Sequence, residues 1–188
     1  MDTYNPATVF SSIDHHGRYA YANQPAVAHW NLTRFAETLL PLIHDKQDKA
    51  IKIAEEIINS FSSVYKKHWL TMMRKKLGLF GEETDDETFI TDLLSWMQQN
   101  KADYTNIFSS LMKEDIPKDK LFQDSTFLNW HQQWQTRLTQ NKKPIELSLS
   151  LMRTTNPLII PRNHKVEEAL EAASINGDFA PMYNLLEV

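Results

Sequence analysis

Apolar residues return every three or four positions along most of this chain, with polar residues filling the steps between. The clearest run is Ile51, Ala54, Ile57, Ile58, Phe61, Val64, Tyr65, Trp69 and Met72, one stripe of an amphipathic helix. It predicts a long helix ending in Arg74-Lys75-Lys76, where cations meet the negative pole and Gly78 tolerates positive φ. Upstream, Pro25 suits a first helical position because it has a fixed φ and no amide to leave unpaired. The helix it opens is expected to bury Val27, Trp30, Leu32, Phe35, Leu39 and Leu40 and to stop near Pro41. Thr84-Asp85-Asp86-Glu87 reads as a capping box for a helix through Trp96, closed by Asn100. Further helices are predicted over about Tyr104 to Met112, Ser125 to Thr139 and Pro144 to Arg153. In the second of these, Trp130, Trp134 and Leu138 share one face and read as core.

Asn156-Pro157-Leu158-Ile159-Ile160-Pro161 brackets an apolar run with prolines, so it reads as an extended, buried connector. Asn163 then caps a helix ending before Gly177, and Asp178 opens a short one to the terminus. No stretch alternates convincingly as a strand. The expected fold is all-α: seven or eight helices across residues 25–188, after an irregular segment over residues 1–24 marked by the turn signals Asn5-Pro6 and Asn23-Gln24-Pro25.

Composition narrows the function classes. At 188 residues the chain fits one domain with a core of its own. The net charge of −4 leaves no global basic field to draw it to nucleic acid or anionic lipid. There are no cysteines, which removes disulfides, thiolate metal sites and cysteine nucleophiles together and suits a reducing compartment. Asp2 follows Met1 where a secretory signal would carry a basic region, and no uncharged apolar run reaches the ~20 residues of a membrane span. The expectation is a cytoplasmic protein with no membrane and no nucleic-acid partner.

Few residues carry a chemical signal. No glycine-rich phosphate loop is present, and neither is the lysine, catalytic loop and Asp-x-Gly set of kinase chemistry. Asp14-His15-His16 has metal-ligating residue types, but adjacent histidines seldom converge on one ion and no third ligand has matching spacing. His164 and Glu167 share a helix face without a second histidine, so a hydrolase built on Asp14, His15, His16 and Glu167 is a weak reading. The carboxylates of residues 82–87 lack the offsets of a calcium loop and fit the helix dipole. Asp14 and Arg18 are read as hydrogen-bonding the backbone to shape the N-terminal segment, and Asn23 and Gln24 as turn residues.

One block is more specific than any of these: Asp14-His15-His16-Gly17-Arg18-Tyr19-Ala20-Tyr21-Ala22-Asn23-Gln24-Pro25, running into Trp30-Asn31-Leu32-Thr33-Arg34. It resembles the selenoprotein-O family, also called YdiU, as do Lys101 to Asn106 and Asn156 to Ala169. The resemblance implies a C-terminal portion of a pseudokinase-fold enzyme that moves AMP or UMP from ATP or UTP, with magnesium or manganese, to Ser, Thr or Tyr of protein substrates. It places the family's metal-binding Asp-Tyr-Gly-Pro motif and nucleotide-gripping residues upstream of the counterpart of Met1. No catalytic, cofactor-binding or metal residue therefore carries over, and no cofactor is expected on this portion. Residues 1–24 would correspond to the segment after the metal loop and residues 25–188 to the helical C-lobe, with Trp30 packed in its core. Asp14, Arg18, Asn23, Gln24, Trp30 and Arg34 are the structural or substrate-face candidates. The rival reading is a stand-alone, non-catalytic helical interaction module, self-associating through apolar surface that truncation uncovers.

Overall fold

The periodic stretches fold as helices. The computed structural model describes residues 2–113 and 116–187, and among them the chain is all-α. The helices are α1 (Gln24–Ile43), α2 (Gln47–Asn59), α3 (Phe61–Lys76), α4 (Asp86–Gln99), α5 (Tyr104–Ser110), α6 (Ser125–Thr139), α7 (Ile145–Thr155), α8 (Asn163–Asn176) and α9 (Ala180–Leu186). Single 3-10 turns lie at Tyr21–Asn23 and Lys120–Gln123. Extended pairing among the described residues is limited to one antiparallel bridge, Thr3 with Asp103.

Several boundaries differ from the sequence expectation. The long second helix is two, because the Ser60 amide bonds back to the Ile57 carbonyl and the Ser60 hydroxyl takes that same oxygen at 2.7 Å. Serine competing for the carbonyl of the preceding turn interrupts the regular ladder. Helix α1 runs through Pro41 to Ile43, since a proline in the last turn forfeits only one intrahelical bond. The box before α4 sits one residue earlier than expected: the Asp86 carboxylate, and not that of Glu87, reaches back three residues to the Glu83 amide at 3.0 Å. Other helix ends are closed by residues near in sequence. Asp103 caps α5 through the Asn106 amide, and Asp124 caps α6 through those of Thr126 and Phe127. Gly177 ends α8 at φ 65°. The N-cap of α8 is Arg162, with Asn163 its first helical residue.

The chain divides into two units. The first comprises Met1–Tyr4, Lys76–Gly81 and Asp92–Val188. Its core is aromatic. Trp130 and Trp134 stack at 6.3 Å between ring centres, Phe127 lies 6.0 Å from Trp130, and Trp96 closes on Phe127 at 4.7 Å. All four are buried, with Ile107, Phe108, Leu93, Met97 and Met152 around them. Each large side chain removed from water contributes on the order of 1.5–3 kcal/mol.

Residues 76–80 follow helix α3 without a regular ladder partner, and side chains supply what the backbone lacks. The Lys76 carbonyl accepts from Asn156 Nδ2 at 2.8 Å, and that of Leu77 from Trp134 Nε1 at 2.9 Å. The Gly78 carbonyl accepts from Asn141 Nδ2 at 2.9 Å, and Asn141 Oδ1 accepts the Phe80 amide at 2.9 Å. Arg137 reaches the Phe80 carbonyl at 3.4 Å. Gly78 is required here: at φ 68°, an added Cβ would sit 2.9 Å from the Ser148 carbonyl and 3.0 Å from Met152. Lys76 itself bonds Asn156 Oδ1 at 3.1 Å above the Phe108 ring, and burial pushes its ammonium below the ordinary lysine value.

The second unit comprises Asn5–Lys75 and Glu82–Thr91, and its interior is thin. Its buried apolar residues are chiefly small: Ala20, Ala50 and Ala54, with Met73 and Ile90. Helices α1 and α2 meet along His29, Thr33, Ala36 and Leu40 against Ile51, Ala54 and Ile58, around a cleft of about 380 Å³. Asp86 is its one deeply buried carboxylate, 2.6 Å from Arg74 Nε. Trp30, Leu32 and Phe35 are not core but exposed, and so are Ile57, Val64 and Met72 of the predicted stripe. Periodicity marked these positions as apolar, but the described residues leave them largely uncovered. In the first unit the connector after α7 also departs from expectation, with Leu158 and Ile159 exposed.

Replacing Asn141 by alanine strips partners from the Phe80 amide, the Gly78 carbonyl and Ser148 at once. Urea unfolding should show a loss of about 1–3 kcal/mol for the stranded buried groups; an unchanged midpoint would mean that water replaces the amide freely.

Candidate functional site

The N-terminal candidates fall together in the second unit, and the local backbone explains why. Asn5 folds its side chain onto the Ala7 amide at 2.9 Å, and the amides of Tyr21 and Ala22 return to the carbonyls of Thr8 and Pro6 at 2.9 Å each. The intervening residues form a tied loop. Asp14 organises its tip: one carboxylate oxygen accepts the Arg18 amide and the other the Tyr19 amide, both at 2.8 Å. A short acidic side chain ahead of a turn is suited to this pairing, which satisfies amides that no helix serves. Gly17 takes φ 64° between them, and Asn23 Nδ2 closes the loop onto the Gly17 carbonyl at 2.8 Å. Gln24 then opens α1, exposed.

The fixed turn presents two side chains outward. The Arg18 guanidinium lies 4.7 Å from the centre of the Trp30 ring and 5.7 Å from that of Tyr19. Arg34, one turn further along α1, lies 5.8 Å from the same Trp30 ring and pairs with Glu37 at 2.6 Å. Asp14 thus holds the backbone as expected. Arg18 does not: it stacks on rings instead. Trp30 is 50% exposed where the core was expected, because it projects about one residue's rotation away from the face that meets α2. Tyr19 was not among the sequence candidates; its adjacency to Arg18 was the one signal that could have marked it. His15 and His16 are exposed at the loop tip, and both Asp14 oxygens are already taken by amides. Among the described residues no three His, Asp or Glu side chains gather as metal ligands do.

A second charged cluster lies in the first unit. Arg162 Nη1 bonds Asp2 and Asp103 at 2.6 Å each. The Tyr104 amide donates to the Asp2 carbonyl and the Tyr4 amide to the Ala102 carbonyl, both at 2.8 Å, so residues 2–4 are stitched to the start of α5. Hydrogen bonds donated to Asp103 and then to Asp2 raise the Arg162 pKa, and the bond that Asp2 accepts from Arg162 holds its carboxyl below the ordinary 3.8. Separated by 160 positions, Asp2 and Arg162 left no local signal of their pairing. In the same unit a groove of about 660 Å³ lies beside His131 and Trp134, and burial lowers the His131 pKa.

Fold and site together describe a helical scaffold carrying an ordered loop with an exposed cationic and aromatic face. The family model described as "Protein adenylyltransferase SelO" matches residues 1–188, and the chain belongs to that family. It is 57% identical over 188 residues to the protein nucleotidyltransferase YdiU of Nitrosococcus oceani, covering all of this chain and 38% of that protein. The corresponding proteins of Alcanivorax borkumensis and Brevibacillus brevis are 54% and 53% identical, with 39% and 38% of their lengths covered. The chain therefore spans well under half the length of these relatives. No described helix is long and apolar enough to cross a membrane.

Two outcomes follow from the geometry. Asp14→Ala should strip hydrogen-exchange protection from the Arg18 and Tyr19 amides while leaving the α6 amides protected; unchanged protection would show that Asp14 does not hold the turn. For Asp2 the depressed folded pKa means that the unfolded chain takes up the proton first. The pairing thus stabilises above about pH 3.8 and its contribution disappears as pH falls through the lower folded value. The difference in urea midpoint between the parent and Arg162→Gln should be present at pH 6 and shrink below pH 4; a pH-independent difference would count against the pair.

Proposed function

We propose that this chain is the helical C-terminal part of a protein nucleotidyltransferase, with a pseudokinase-like C-lobe as its architecture. The enzyme would move AMP, or UMP, from ATP or UTP to Ser, Thr or Tyr hydroxyls of proteins, in the cytoplasm. The observation that carries this reading is the match along all 188 residues to nucleotidyltransferases of which the chain makes up 38%. In this reading the chain supplies the supporting lobe and part of the face that meets the protein substrate.

The chain's own residues favour a supporting role. Gripping a triphosphate calls for backbone amides converging from a glycine-rich loop, and the four glycines lie singly at turns and helix ends. The amides of the Asp14 turn are already committed to a carboxylate, which would repel phosphate. The described residues also offer no converging set of His, Asp or Glu ligands for the divalent ion of the reaction. What the loop over residues 5–23 offers is order: a rigid path from which Arg18 and Tyr19 face solvent.

A second reading, a non-catalytic interaction module, draws on the uncovered apolar faces of α1 to α3. Phe35 at 60% and Ile57 at 64% exposure are costly to leave in water. Further polypeptide like that of the longer relatives, a second copy or a separate protein would relieve the same cost.

Isothermal titration of the 188-residue chain with ATP and manganese should give no heat of binding. Micromolar affinity would place the nucleotide site on this chain and overturn the supporting role.

A further inference from the structure

The stack of Tyr19, Arg18, Trp30 and Arg34 is built in a way that a purely structural cation–aromatic contact does not require. Both rings are exposed, about half of each remaining in solvent, so burial of the aromatic surface is not what the arrangement achieves. The backbone beneath Arg18 and Tyr19 is fixed twice, by the Asp14 carboxylate and by Asn23 on the Gly17 carbonyl. The charges are unequal. Arg34 is neutralised by Glu37, and Asp14 is turned to the amides, whereas Arg18 has no acidic partner among the described residues. One guanidinium, 4.7 Å from the Trp30 ring and 5.7 Å from that of Tyr19, is left with donors to give.

We infer that Arg18, Tyr19 and Trp30 form a docking subsite for a carboxylate-bearing side chain of the protein substrate. This rests on the reading of the chain as part of an enzyme that acts on proteins. The guanidinium fork matches a carboxylate in geometry and charge, and holding it against aromatic rings lowers the ordering cost of pairing. A phosphate fits less well. A dianion calls for two or more free cations or a nest of amides, and here the neighbouring cation and both turn amides are spent. The rings beside Arg18 give the residues flanking the acid an apolar surface to rest on, as peptide recognition usually requires. The enzyme would then favour hydroxyl residues that have an acidic neighbour.

The test follows the Trp30 indole N–H resonance of the ¹⁵N-labelled chain, assigned by its loss in Trp30→Phe. The probes are the blocked peptide Glu-Glu-Tyr-Glu-Glu, its glutamine counterpart, and inorganic phosphate. The acidic peptide should shift the resonance saturably and the glutamine peptide should bind about tenfold more weakly. Arg18→Gln should lose about the same factor, Arg18→Lys should retain part of the affinity, and Arg153→Gln, an exposed arginine on α7, should behave as the parent. The Trp134 indole resonance, buried against the Leu77 carbonyl, reports the fold of the first unit, and the amide resonance of Ala50, buried in α2, that of the second, in each variant. No shift with the acidic peptide, or equal binding by Arg18→Gln, overturns the subsite. Phosphate that displaces the peptide at equal concentration overturns the carboxylate assignment. None of these readouts involves ATP, so their failure leaves the nucleotidyltransferase reading standing, and nucleotide binding by the chain would leave the subsite standing.

Discussion

The capture of the backbone at residues 76–80 by side chains is the interaction on which the first unit depends. A segment leaving a helix carries carbonyls and amides that no ladder serves, and a buried orphan costs as much as several good contacts gain. Asn156, Trp134, Asn141 and Arg137 each take one or more of these groups. Because those side chains come from α6 and from the residues that follow α6 and α7, satisfying the segment also fixes where these elements lie. The same indole that bonds Leu77 stacks on Trp130, so polar satisfaction and aromatic packing constrain one another.

The two units solve the burial problem unequally. The first fills its interior with phenylalanine and tryptophan, whereas the second buries mostly alanine and leaves larger apolar side chains outside. In the second unit, directional contacts hold the N-terminal loop where apolar packing does not: Asp14 on two amides, Asn23 on Gly17, Asn5 on Ala7. Arg74 and Asp86 add an ion pair whose carboxylate is fully enclosed, a pairing that is costly to break once formed. An ordered loop over a lightly packed helical pair suits a surface that must present side chains without being part of a deep core.

Membership of a nucleotidyltransferase family and the absence of phosphate-gripping loops from these residues are compatible once the chain is seen as a portion of longer relatives. Chemistry and support need not share a segment. In the proposed reading, a lobe that positioned a protein substrate would contribute through orientation, which can supply much of a rate enhancement without a catalytic group.

Much of the architecture was legible in the residues themselves. The bounds of α6, the caps at Asp103 and Asp124, and the left-handed glycine after α8 follow from local rules, because a helix end must satisfy its own amides and carbonyls with whatever is near in sequence. Burial of Trp130, Trp134 and Leu138 followed from their shared face. Which apolar faces are covered did not, since the same spacing describes the buried stripe of α6 and the partly exposed one of α2 and α3. The site was legible only in part: Asp14 and Asn23 act within a few residues of themselves, while the stacking of Arg18 on Trp30 and the pairing of Asp2 with Arg162 join distant positions. Amino-acid order determined the helices, their ends and the family; tertiary structure decided what each face meets, because periodicity records that a surface is apolar and carries no information about what lies opposite it.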